Sequence, residues 1–186
     1  MKIQPTEISD VLLIKPQVYG DHRGFFFESF NQRVFLDKVY SDKAEPIHFV
    51  QDNHSRSKQG ILRGLHYQIQ QPQGKLVRVV IGAIFDVAVD IRKQSTTFGQ
   101  WIGATLSAEN KHQLWVPPGF AHGFFVLSDN AEVLYKATDY YAPEHERSII
   151  WNDPDLGIVW PLKGITPILS SKDEAGVPFK QADVYP

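Results

Sequence analysis

Short apolar runs separated by turn residues dominate the chain. Val11-Leu12-Leu13-Ile14 reads as a strand that Pro16 and Gly20-Asp21 bring to an end. Further strands are predicted over residues 47–53, 60–68, 75–81, 84–91, 101–106, 112–116, 122–127 and 132–138. Ser107-Ala108-Glu109-Asn110-Lys111, Pro117-Pro118-Gly119 and Ser128-Asp129-Asn130 punctuate them. One helix is predicted, from an Asn31 cap to Tyr40. Val34, Phe35 and Val39 share one face of it, and Phe30 stands where a hydrophobic staple would begin. The segment Arg23 to Phe30, with four phenylalanines, is aromatic enough to require burial. From Asn152 onward Pro and Gly are frequent, and the pattern predicts loops that wrap the domain.

Regular strands with few helices predict an all-β fold. A jelly roll, a cupin-like β-sandwich or barrel with one or a few short helices, suits the pattern because it closes two sheets around an interior able to hold a ligand. Residues 1–186 read as one such domain, with 152–186 as its wrapping tail.

Two stretches depart from apolar patterning. Phe85, Val87, Val89 and Ile91 alternate with Asp86, Ala88 and Asp90, which places two carboxylates on one strand face and predicts a lined interior. In Gly60-Ile61-Leu62-Arg63-Gly64-Leu65-His66-Tyr67-Gln68, a guanidinium and an imidazole sit inside an apolar strand. Burying either unpaired would cost several kcal/mol, so the stretch predicts a cavity with polar work to do. Strict alternation would send Arg63 and His66 to opposite faces, and a bulge or kink at Gly64 is the expected remedy.

Composition narrows the classes. Nineteen Lys and Arg against 21 Asp and Glu give a net charge of -2, so no global field favours nucleic acid or anionic lipid. The absence of Cys removes disulfides, thiolate metal sites and cysteine nucleophiles. No stretch approaches the ~20 apolar residues of a membrane span, and the first residues lack a signal-peptide core, from which a cytoplasmic protein is expected.

Seven histidines are present, and His66 and His122 stand out for their apolar, small-residue surroundings. Metal-binding jelly rolls hold an ion with a His-x-His pair, a carboxylate and a later His. Here the pair reads His66-Tyr67-Gln68, an amide replacing one ligand, so no metal and no cofactor is expected. Side-chain acid–base chemistry remains. Either Asp86 or Asp173 could orient a His66 base. Tyr135 could serve as the acid, since its ordinary pKa near 10 keeps it protonated at neutral pH. Arg23, Arg63, Lys75 and Lys172, if convergent, would suit a diphosphate, and Tyr140-Tyr141 could offer a ring face to a base.

Six ordered motifs are familiar: Asp21-x-Arg23-Gly24-Phe25-Phe26-x-Glu28, Gln51-Asp52-Asn53-His54-Ser55, Leu62-Arg63-Gly64-Leu65-His66, Phe85-Asp86-Val87-Ala88-Val89-Asp90-Ile91-Arg92, Pro118-Gly119-Phe120-Ala121-His122-Gly123 and Tyr135-Lys136-Ala137-Thr138-x-Tyr140-Tyr141. Over most of its length the chain resembles the dTDP-4-dehydrorhamnose 3,5-epimerases. The resemblance implies a jelly-roll homodimer without cofactor, acting on dTDP-4-dehydro-6-deoxy-D-glucose. It implies His66 as base held by Asp173, Lys75 beside the enolate oxygen and Tyr135 as acid. Arg23, Glu28, Gln51, Asp52, Asn53, Arg63, His122, Glu146 and Lys172 become substrate contacts, with Tyr141 stacking on thymine. It also implies that the N-terminal segment reaches the partner subunit, where Arg23 and Glu28 would complete the neighbour's site. Rival readings are an epimerase of one carbon only, a related ketoisomerase, a non-catalytic sugar-binding jelly roll and a metal-dependent oxygenase.

Overall fold

A computed structural model describes residues 1–40 and 46–186 of the chain. In chain order the strands are β1 Lys2–Pro5, β2 Leu12–Lys15, β3 Tyr19–Asp21, β4 Gly24–Phe26, β5 Gln51–Lys58, β6 Leu62–Gln68, β7 Lys75–Ile81, β8 Ala83–Asp90, β9 Trp101–Ser107, β10 Gln113–Val116, β11 Phe120–Val126, β12 Asn130–Ala137 and β13 Glu146–Ser148. Helix α1 spans Gln32–Val39 and helix α2 Ser171–Glu174. Two antiparallel sheets face each other, one in the order β1-β2-β10-β7-β12-β5 and one in the order β13-β6-β11-β8-β9, while β3 and β4 form a separate hairpin. This is the double-sheet, jelly-roll architecture that the strand pattern predicts.

Alternation along the strands sorts side chains into three layers. Val77, Val79, Ile84, Ala88, Leu114, Val116, Phe124 and Val133 fill the space between the sheets. On the far side of the five-stranded sheet, Leu62, Leu65, Val87, Val89 and Phe125 are covered by Leu156, Trp160, Phe179 and Val184 of the tail. The far side of the six-stranded sheet carries Ile14, Leu76 and Trp115 against α1. Asn31 caps that helix by accepting from the Val34 N–H at 3.2 Å, and the Phe30 and Phe35 rings lie 6.1 Å apart as a staple.

Three local expectations need correction. The strand expected over residues 47–53 is β5 at Gln51–Lys58. Its Gln-Asp-Asn-His-Ser-Arg-Ser-Lys sequence shows no apolar alternation, yet it pairs with β12 along its whole length. Its inward positions face a polar interior, so the period-2 signal is written in polar residues alone. The aromatic segment is only partly buried by the described residues: Phe30 packs against the α1 cluster, whereas Phe25 and Phe26 are 63% and 71% exposed, and Tyr19 beside them is 64% exposed. Finally, the tail contains α2, whose four residues depend on a reciprocal capping box between Ser170 and Asp173 rather than on an apolar stripe.

Candidate active site

Strand β6 departs from regular pairing at Gly64. Along β11, His122 and Phe124 are two residues apart, whereas their partners on β6, His66 and Arg63, are three apart. One extra residue is thus accommodated, and Leu62 and Leu65 both turn to the outer layer while Arg63 and His66 both line the same cavity. Gly64 has φ of +123°, and a Cβ there would meet the Gly123 Cα at 2.5 Å and the His122 carbonyl at 2.8 Å. The bulge therefore needs glycine on both strands.

The cavity opens between the sheets. His66, Arg63 and Gln68 line it from β6, His122 and Phe124 from β11 and Glu146 from β13; Lys75 lines it from β7, Tyr135 from β12 and Ser55 from β5. Gln73 and Tyr141 complete the rim. His66 and Tyr135 thus project from opposite sheets into one space.

Asp173 supports His66 from α2. Its carboxylate is buried, with Oδ1 2.8 Å from His66 Nε2 and accepting from the Gly64 N–H at 2.9 Å, while Oδ2 accepts from Ser170 Oγ at 2.5 Å. The His66 contact is short, but the ring nitrogen is not aimed squarely at the oxygen. Burial alone would raise the Asp173 pKa. The groups from His66, Ser170 and Gly64 outweigh it and hold the carboxyl well below the usual range.

Asp86 has a different partner. Its Oδ1 pairs with His122 Nε2 at 2.8 Å, both groups being buried. The choice left open between Asp86 and Asp173 as the orienter of His66 thus falls to Asp173. Lys75 is buried, and burial pushes its pKa down to about 8 against the opposing pull of Asp86 and Glu146. Tyr135 is raised above its ordinary value, first by burial, and stays protonated at neutral pH. At the rim, the Tyr141 hydroxyl donates to Glu146 Oε2 at 2.7 Å, and Lys172 bonds the same carboxylate.

The other expected contacts lie away from this cavity. Arg23, at the β3–β4 hairpin, pairs with Asp21, and Glu28 accepts from Asn31 Nδ2 at 3.1 Å. Asp52 pairs with Lys136 at 2.9 Å on the outer face of β5. Gln51 accepts from the Tyr141 N–H at 3.0 Å and donates to Asn53, so it touches the site through its rim. Sequence reading missed Ser55, Tyr67, Gln68, Gln73, Gly123 and Phe124 as lining residues. Ser55 carried a usable signal, lying two and four residues beyond Asn53 and Gln51 on one strand face. The other five histidines, His22, His48, His54, His112 and His145, take no part in the lining.

A protonated tyrosine and a carboxylate-backed histidine across a cavity, with a buried lysine in the same lining, define a jelly-roll isomerase site suited to moving protons beside a carbonyl. The sequence comparison narrows this. The chain belongs to the dTDP-4-dehydrorhamnose 3,5-epimerase family, whose sequence model matches residues 5–181. It is similar to a dTDP-4-dehydrorhamnose 3,5-epimerase from Pseudomonas aeruginosa, with 61% identity over 100% of both chains. A second, from Shigella flexneri, is 56% identical over 100% of this chain and 99% of that one. Among solved structures, dTDP-6-deoxy-D-glucose-3,5-epimerase from Legionella pneumophila, in complex with dTDP-4-keto-L-rhamnose, superimposes with a TM-score of 0.93 and 54% identity. That match covers 98% of this chain and 94% of that one.

Proposed function

We propose that this cavity epimerises dTDP-4-dehydro-6-deoxy-D-glucose at carbons 3 and 5, giving dTDP-4-dehydro-L-rhamnose, with His66 as base and Tyr135 as acid. The observation that carries the reading is their placement on opposing sheets. Inversion requires a proton to leave one face of a carbon and return to the other, and only groups on opposite walls can do both without turning the sugar over.

The ketone at carbon 4 acidifies the hydrogens on carbons 3 and 5. His66, with Nε2 turned to Asp173, takes a proton as the C–H bond breaks; the electron pair moves into an enolate whose oxygen meets the Lys75 ammonium. Tyr135 then delivers its hydroxyl proton to the opposite face, and the enolate collapses to the ketone. Solvent exchange restores both groups, and the cycle repeats at the second carbon. No step needs an oxidant, reductant or metal.

Arg63 supplies a fork for the diphosphate, with its Nε also donating to Ser57 Oγ at 3.1 Å. His122, Glu146 and Lys172 contact the sugar nucleotide, Gln51 and Asn53 belong to the adjoining β5 wall, and Tyr141 stacks on thymine. The exposed Tyr19, Phe25 and Phe26 support a homodimer in which the hairpin lies against a second copy, where Arg23 and Glu28 complete the neighbour's site.

Incubation with the dTDP-4-keto sugar in deuterated water, followed by proton NMR, tests the reading. Loss of signal at carbons 3 and 5 with formation of the L-sugar is expected. Exchange at one carbon alone would replace it with a single-site epimerase, and no exchange would reject the enzyme.

A further inference from the structure

Gln68 stands where metal-binding jelly rolls place a second histidine, yet its amide is already engaged. Its side chain is buried, 4% of the residue being exposed. Nε2 donates to the Gln71 carbonyl at 2.8 Å and to the Tyr140 carbonyl at 3.2 Å, while Oε1 accepts from the Ala142 N–H at 2.9 Å. Both donors and one acceptor site are therefore spent on backbone, leaving little capacity for a ligand.

These bonds bracket Tyr141. The residue before it and the residue after it are both held by Gln68, and its own N–H is held by Gln51. Across the β6–β13 pairing, the register partner of Gln68 is Glu146, the acceptor of the Tyr141 hydroxyl. The Gln68 backbone is fixed in turn, since the Tyr185 hydroxyl donates to its carbonyl. Tyr141 itself is half exposed and, among the described residues, belongs to none of the three hydrophobic clusters, so its orientation depends on these polar restraints.

We propose that Gln68 is the positioning residue for Tyr141: its amide clamps the backbone on both sides of that tyrosine and thereby sets affinity for the nucleotide, two residues along the strand from the base. The proposal rests on the reading that Tyr141 stacks on thymine. Its benefit is that a preorganised ring loses less freedom when the nucleotide binds.

The test uses Gln68→Met, which keeps length and removes the amide, with Gln68→Ala as a second variant should the first misfold. Folding is checked by circular dichroism, and dTDP binding and sugar exchange are measured. With net hydrogen bonds each worth about a kcal/mol, Kd for dTDP and KM for the sugar nucleotide rise about tenfold, and kcat falls about threefold at most. In a Tyr141→Ala background, Gln68→Met changes Kd by less than about twofold, because the clamp has nothing left to position. Multiplying effects in the double variant, or a kcat loss matching the KM rise, would overturn the proposal. An unchanged Kd in Gln68→Met beside a weakened Tyr141→Ala would overturn it alone. An unchanged Kd in Tyr141→Ala would overturn the stacking reading, and the proposal with it.

Discussion

Two His–Asp pairs face each other across one strand pairing. His66 and His122 are register partners, and each has Nε2 2.8 Å from an aspartate oxygen. Distance does not distinguish them; their surroundings do. The His66 side chain is 29% exposed, and its aspartate has both oxygens engaged, Oδ1 by the Gly64 N–H and Oδ2 by the Ser170 hydroxyl. His122 is 9% exposed, and Asp86 Oδ2 is buried without a partner among the described residues, in a region it shares with the buried Lys75. A base must reach substrate and be returned to its starting state, which favours the open pair with the satisfied carboxylate. The closed pair is fitted to hold a fixed dipole and a charge beside the cavity.

This comparison can be broken most directly at the imidazole. His66→Ala should reduce deuterium exchange at both carbons by about 10³-fold, near the middle of the range for general base catalysis, with the circular dichroism spectrum unchanged. Retained exchange in that variant would move the base to His122. Removing charge from the two carboxylates sharpens the contrast. Asp173→Asn should cost about 10²-fold in rate by leaving the imidazole unsupported, and Asp86→Asn roughly tenfold or less. Steady-state kinetics on the two proteins would reverse the assignment if the order were inverted.

Tyr135→Phe separates the two walls. Proton removal by His66 survives and return from the opposite face fails, so inversion should fall about 10²-fold while exchange with retained configuration persists. Equal loss of both would place the donor elsewhere.

The smallest effect concerns Lys75. Burial lowers its pKa to about 8, so the ammonium is complete below that value and is lost as pH rises through it. If the charge stabilises the enolate, the rate declines above about pH 8, and Lys75→Arg moves that decline to higher pH. An alkaline limb that does not respond to the substitution would exclude Lys75 as its source.

Much of this was legible in residue order. The spacing of turns announced a β-rich fold, Asn31 and Phe30 announced α1, and Arg63 and His66 announced a cavity because unpaired polar groups in an apolar strand are too costly to be accidental. The need for a departure at Gly64 followed from period-2 geometry alone. Other features left no local trace. Strand β5 is polar on both faces, α2 is too short for a periodic stripe, and the burial expected of Phe25 and Phe26 is not supplied by the described residues.

What the sequence determined by itself is which chemistry was available: imidazole, phenol, lysine and carboxylates, without thiol, set among strands whose apolar faces had to close on each other. Only the tertiary structure decided the partnerships. Asp86 and Asp173 are similar carboxylates in sequence, and their roles separate because β8 delivers one to His122 and a capped turn in the tail delivers the other to His66. Local pattern reports which face a residue takes, since that depends on neighbours two or four positions away. Which residue it meets there depends on strand order and register, and those are settled by the packing of the whole chain.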